Sequence, residues 1–62
     1  MKINQVDKAI VYYVFATMDG EPVYLRGNNN YWERQYGWDW SEYELSDKQL
    51  ELVQQYIAEM ES

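Results

Sequence analysis

The chain has 62 residues, a formal net charge of −6, and neither cysteine nor histidine. Without these two residue types, disulfides, zinc sites, thiol nucleophiles and histidine-based catalytic triads are excluded. A chain of this length has room for one domain, residues 1–62, because a domain of about 60 residues already buries only roughly 60% of its unfolded surface.

The first predicted elements form a β-hairpin. Residues 8–18 are rich in β-branched and aromatic side chains and predict a strand. Both faces of this strand are apolar, so we expect it inside the sheet and not at an edge. Asp19-Gly20 tolerates the positive φ angles of a type I′ turn and predicts a return strand over about Pro22 to Arg26.

A third strand is predicted after a second turn. Gly27 and the three asparagines that follow it adopt left-handed conformations easily and predict the turn. Tyr31–Tyr36 then predicts a strand that Gly37 interrupts. A bulge or bend at Gly37 would change the direction in which the Trp38 and Trp40 side chains point.

The C-terminal segment predicts an amphipathic helix. Ser46 is a suitable N-cap and Gln49 stands at the capping-box position. The expected apolar stripe consists of Leu50, Val53, Tyr56, Ile57 and Met60, with Leu52 beside it. The predicted fold class is therefore α+β: a three-stranded, mainly antiparallel sheet packed by one C-terminal helix.

The negative charge lies entirely in the C-terminal half. Acids and bases balance through residue 35, whereas seven acids from residue 36 onward face only Lys48. Direct binding to nucleic acid or to an anionic membrane is disfavoured, because both depend on clustered Lys and Arg. The charge favours a partner with a basic surface. The alternative is that it simply keeps a small protein soluble.

Few residues are available for catalysis or metal binding. The only dense acidic cluster is Asp39 with Glu42 and Glu44, and the spacing does not fit a calcium loop of the EF-hand type. One helix on three strands leaves little concave volume for a substrate. We expect no enzyme activity, no cofactor and no metal site.

The segment from Tyr31 to Glu44 is the candidate functional region, because it carries six aromatic rings and four acids. One interpretation is structural: alternate rings such as Trp38 and Trp40 fill the space between sheet and helix. The other is an aromatic anchor patch with an anionic rim that binds a protein partner. The predicted partner-binding residues are Trp32, Tyr36, Trp38, Asp39, Trp40, Glu42, Glu44, Glu51 and Glu59.

In its length, acidity, lack of Cys and His, and Trp/Tyr/Asp/Glu-rich segment, the chain resembles the small acidic proteins with which bacteriophages inhibit host or defence enzymes. That group includes anti-CRISPR proteins and other DNA mimics. The resemblance implies an inhibitor that occupies the basic site of a nucleic-acid-handling enzyme in the host bacterial cytoplasm. It concerns overall character, and no residue role is carried over from it.

Two other functions are consistent with the sequence. A small module could stack exposed Trp and Tyr rings on a sugar or a proline-rich peptide, with Asn28 to Asn30 supplying hydrogen bonds. Alternatively, the surplus rings could be buried in a homo-oligomer. No long apolar run follows Met1, so we expect a soluble, cytoplasmic protein without a secretion signal or membrane segment.

Overall fold

Five antiparallel strands and one helix make up the computed structural model, which describes residues 1–62. The elements are β1 (Lys2–Lys8), β2 (Tyr12–Met18), β3 (Glu21–Asn28), β4 (Tyr31–Tyr36), β5 (Asp39–Glu42) and α1 (Asp47–Glu61). The strands lie side by side in chain order. The predicted α+β class, antiparallel sheet and C-terminal helix are confirmed, but the prediction of three strands is wrong.

The missed first strand is irregular in sequence. In β1 the apolar residues that face the helix are Ile3 and Val6, which are three positions apart because a bulge lies between Ile3 and Gln5. A bulge breaks the two-residue alternation by which a half-buried strand is recognised. The strand that was predicted over residues 8–18 begins at Tyr12 in the structure. Lys8 belongs to β1, and residues 9–11 connect the two strands.

The missed fifth strand is short and polar. Gly37 has a φ of 62° and, with Trp38, forms a tight turn after which Asp39–Glu42 runs back along β4. The predicted bend at Gly37 is thus a complete chain reversal. Asp and Glu are uncommon in strands, so four residues that include both give little sequence signal for one.

The predicted turns are present. Asp19 and Gly20 have φ angles of 51° and 79°, as a type I′ turn requires, and Met18 pairs with Glu21. The second turn is formed by Asn29, with a φ of 52°, and Asn30, whereas Gly27 still belongs to β3. The prediction that the strand before Asp19 lies inside the sheet is confirmed, because β2 pairs with both β1 and β3.

The helix begins as predicted. The Ser46 side chain accepts a hydrogen bond from the Gln49 backbone N–H at 3.2 Å, and the Gln49 side chain accepts one from the Ser46 backbone N–H at 3.1 Å. Val53 is fully buried, with Leu50, Leu52 and Ile57 packed around it. The buried stripe is narrower than predicted, because Tyr56 and Met60 at its edges are 41% and 40% exposed.

The core lies between α1 and one face of the sheet. Alternation along each strand directs every second side chain to this face. The buried residues are Ile3, Val14, Ala16, Val23, Leu25, Trp32 and Val53. With only one helix, the opposite face of the sheet has no covering layer, and we call it the open face.

Trp32 fits onto β3 because Gly27 has no side chain. These two residues are cross-strand partners, and a Cβ atom at Gly27 would lie 2.8 Å from the Trp32 ring and would clash with the Tyr31 carbonyl oxygen. The indole N–H donates a hydrogen bond to the Asn29 carbonyl oxygen at 3.0 Å. The ring is thereby held flat against the backbone of the β3–β4 hairpin.

No helix of this structure combines the length and the apolar character needed to cross a membrane.

The substitution Gly27→Ala is expected to destabilise the fold by about 1–3 kcal/mol, the usual range for overpacking a close-fitting site. The new methyl group would have to displace either the Trp32 ring or the hairpin backbone. Urea denaturation followed by tryptophan fluorescence should show a lower midpoint with an unchanged slope.

Gly37→Asn is the matched control. A Cβ atom at Gly37 meets nothing within 4 Å, and asparagine tolerates the positive φ at that position. An equal loss of stability in both variants would contradict the proposed role of Gly27.

Candidate functional site

Trp32 does not belong to an accessible patch. It is 2% exposed and lies between the sheet and the helix. The structural interpretation of the sequence predicted Trp38 and Trp40 in that position. Trp38 is instead 98% exposed in the β4–β5 turn. The side chain of Trp40 is on the open face, beside Gln35, with which it pairs. Trp32 is therefore a core residue and cannot contact a partner.

The other predicted site residues lie on separate surfaces. Strand alternation places Tyr36 and Asp39 on the helix side of the sheet and Trp40 and Glu42 on the open face. Glu44 lies in the link between β5 and α1, and Glu51 and Glu59 are exposed on α1. The structure therefore does not bring the predicted residues together into one patch.

Most carboxylates have no cationic partner. Of the 11 acids, Glu61 pairs with Lys8 and Glu33 pairs with Arg26, each at 2.7 Å, which leaves nine without an ion pair. All nine are exposed. Six of them, which we call the acidic segment, follow one another along β5, the link and α1: Asp39, Glu42, Glu44, Asp47, Glu51 and Glu59.

The open face is organised in rows that cross the strands. One row runs through all five strands and carries the charges. Its members, from β1 to β5, are Asp7, Tyr13, Arg26, Glu33 and Glu42. Arg26 donates a hydrogen bond to one carboxylate oxygen of Glu33. The second oxygen accepts a hydrogen bond from the Tyr31 hydroxyl at 3.2 Å.

The neighbouring row is aromatic. Gln5 pairs with Phe15 and Phe15 with Tyr24, while Gln35 pairs with Trp40. The Phe15 and Tyr24 rings are stacked, with centroids 4.9 Å apart and an angle of 13° between their planes. Arg26 reaches across from the charged row, and its guanidinium carbon lies 4.2 Å from the centre of the Trp40 ring.

A shallow trough on the open face is lined by residues of both rows. Its lining includes Gln5, Asp7, Tyr13, Phe15, Tyr24, Gln35 and Trp40. Among these, only Trp40 is a site residue predicted from the sequence. The apolar character of both faces of β2 was a usable signal, because a single helix can cover only one of them and Tyr13 and Phe15 must lie on the other.

Ion pairs shift the pKa of several groups. The Arg26 guanidinium, which donates a hydrogen bond to Glu33, lowers the pKa of Glu33 from its ordinary value of 4.5. The negative charge of Glu33 raises the pKa of Tyr31. On the helix side, the hydrogen bond to Glu61 raises the pKa of Lys8 and ties the end of α1 to β1.

The acidic side chains do not converge as metal ligands would: no three of them are grouped so that they could hold an ion. Comparisons of the chain with protein-family models, with curated proteins and with solved structures give no match. The function is therefore inferred from the residues and their arrangement alone.

Replacing Arg26 by glutamine is expected to raise the pKa of Glu33 toward its ordinary value, because the lowering depends on the guanidinium. A carboxylate whose pKa is lowered by folding stabilises the fold above its unfolded pKa, and this stability is lost as the pH falls through the folded pKa. The urea midpoint of Arg26→Gln should therefore change less between neutral and acidic pH than that of the original protein. Carbon-13 NMR titration of the Glu33 carboxyl measures the shift directly.

The control is Arg34→Gln, because Arg34 makes no ion pair and lies 5.2 and 5.5 Å from the centres of the Tyr36 and Tyr43 rings. An unchanged Glu33 titration in Arg26→Gln would show that the ion pair is absent in solution.

Proposed function

We propose that this chain is a non-catalytic protein-binding module that inhibits a nucleic-acid-handling enzyme by occupying its basic surface. The observation that carries the proposal is the acidic segment. Six exposed carboxylates without ion pairs follow one another from β5 to the last turns of α1, accompanied by a single cation, Lys48. Carboxylates presented in this way resemble the phosphates of a nucleic acid in charge.

The sign and arrangement of the charge support a basic protein partner over the alternatives. Complementary potential increases the rate of encounter and rejects partners of the wrong sign. If the charge served only solubility, mixed signs across the surface would serve equally well. Here six exposed acids are concentrated in β5, the link and α1, and Lys48 is the only cation among them.

Trp38 supplies an aromatic contact beside this charge. It lies at the tip of the β4–β5 hairpin and is 98% exposed, next to Asp39 and close to Tyr36, which is 49% exposed. Tryptophan and tyrosine are frequent among the residues that dominate binding energy at protein interfaces. A ring at a hairpin tip can enter a pocket of a partner while the flanking acids meet its basic rim.

The first experiment uses the protein as bait in bacterial lysate. We expect it to retain a nucleic-acid-binding protein that elutes as the salt concentration rises, because screening weakens contacts between exposed charges. The purified partner should then lose its affinity for labelled DNA or RNA when the bait is added in equimolar amount. A captured protein whose nucleic-acid binding is unaffected by the bait would contradict the proposed inhibition.

Two variants with equal changes in charge locate the contact. Asp39→Asn, Glu42→Gln and Glu44→Gln together remove three negative charges from the acidic segment. Asp19→Asn with Glu21→Lys produces the same change of +3 at the β2–β3 turn, which lies outside the segment. We expect the first variant to bind the partner at least about tenfold more weakly, as fits losses near 0.5 kcal/mol for each exposed charge, and the second to bind almost normally.

Equal losses in the two variants would show that only net charge matters. Binding that neither variant nor salt affects would favour the sugar or peptide module, in which aromatic stacking carries the affinity.

A further inference from the structure

We propose that the trough on the open face binds arginine side chains of an extended segment of the partner. This inference rests on the protein-binding function proposed above and assigns that function a second surface and a chemical specificity. Three observations support it: the rings and hydrogen-bond acceptors that line the trough, the position of Arg26 on the same face, and the negative net charge of the chain.

The chain already holds one guanidinium on this face. Arg26 lies 4.2 Å from the centre of the Trp40 ring, and its Nε donates a hydrogen bond to Glu33 at 2.7 Å. The components are a ring, a carboxylate on a neighbouring strand and a planar cation between them. A guanidinium stacks on an aromatic face and binds carboxylates with directed hydrogen bonds, which an ammonium group does less well.

The β1–β2 side of the same face repeats the ring and the carboxylate. Asp7 pairs across the strands with Tyr13, and Phe15 lies in the adjacent row. No residue of this chain supplies the cation there, because Asp7 makes no ion pair and Lys8 turns to the helix side to bind Glu61. An arginine from a partner would complete the arrangement that Arg26 makes with Trp40 and Glu33.

The polar groups of the trough include several hydrogen-bond acceptors. The Gln5 amide N–H donates to the Asp7 carboxylate at 2.7 Å, and the Gln35 amide N–H donates to the Gly37 carbonyl oxygen at 3.1 Å. Each amide keeps its carbonyl oxygen as an acceptor beside the rings, together with one N–H. A ligand suited to this lining is flat, cationic and rich in N–H donors, and the arginine side chain has five donors and no acceptor.

The net charge favours a basic partner over a second copy of this chain as the occupant of the trough. Two copies would each bring a net charge of −6 to the contact. The only arginine on the open face, Arg26, is already held by Trp40 and Glu33. An arginine-bearing segment of another protein is complementary both to the whole molecule and to the trough.

The probes are three short peptides of equal length that alternate glycine with arginine, lysine or serine. Binding to the full chain is measured by calorimetry, and the contacted residues are identified from amide chemical shifts. We expect the arginine peptide to shift Gln5, Asp7, Tyr13 and Tyr24 and to bind about tenfold more tightly than the lysine peptide, as stacking of a guanidinium permits. The serine peptide should not bind.

Two variants on opposite sides of the molecule test the location. Tyr13→Thr removes an open-face ring that is 41% exposed, and Tyr56→Thr removes a helix ring with the same exposure. Only the first should reduce the affinity for the arginine peptide, and Asp7→Asn should reduce it as well. A denaturation midpoint for each variant confirms that the fold is retained.

Several results would overturn this inference. If the arginine and lysine peptides bind equally and shift only the acidic segment, the trough is not an arginine site, although the proposed function still stands. If none of the peptides binds at low salt, both the site and the basic partner are contradicted. If the shifts of open-face residues depend on protein concentration, and sedimentation shows a dimer that Tyr13→Thr dissociates, the occupant is a second copy of the chain.

Discussion

The packing of the Trp32 indole on the backbone of Gly27 fixes the core side of the β3–β4 hairpin. The helix contributes one fully buried side chain, Val53, whereas the other six buried apolar residues, Trp32 among them, come from the strands. The ring can lie so close to β3 only because its cross-strand partner has no Cβ atom. Its N–H also fixes the Asn29 carbonyl in the turn that sets the register of β3 and β4.

The register of β3 and β4 determines which side chains lie on the open face. With Trp32 inward, Tyr31 and Glu33 must point to the open face, and the pairing of Glu33 with Arg26 and Glu42 follows. A slip of one residue would exchange the two faces of β4. The charged and aromatic rows therefore depend on a contact made on the opposite side of the sheet, and the two surfaces of the molecule cannot change independently.

The sequence predicted the features that depend on local chemistry. The Ser46 cap, the Asp19-Gly20 turn and the interior position of β2 follow from propensity and pattern, and all three are present. β1 was missed because a bulge interrupts its alternation, and β5 because it is short and two of its four residues are acidic. The role of Trp32 could not be predicted, because it depends on its pairing with Gly27 across the sheet, and no pattern in Tyr31–Glu44 distinguishes the buried tryptophan from the two others.

The same irregular strands make both edges of the sheet poor templates for a strand from another copy. An antiparallel sheet with an uncovered aromatic face could add strands from other copies and grow into fibrils, since edge strands present unpaired backbone groups. Here β1 carries a bulge and three charged residues, while β5 has four residues of which Asp39 and Glu42 are acidic. A neighbouring copy would meet a kink at one edge and like charges at the other. Both edges therefore disfavour the addition of a strand from another copy, while the rings of the open face stay exposed.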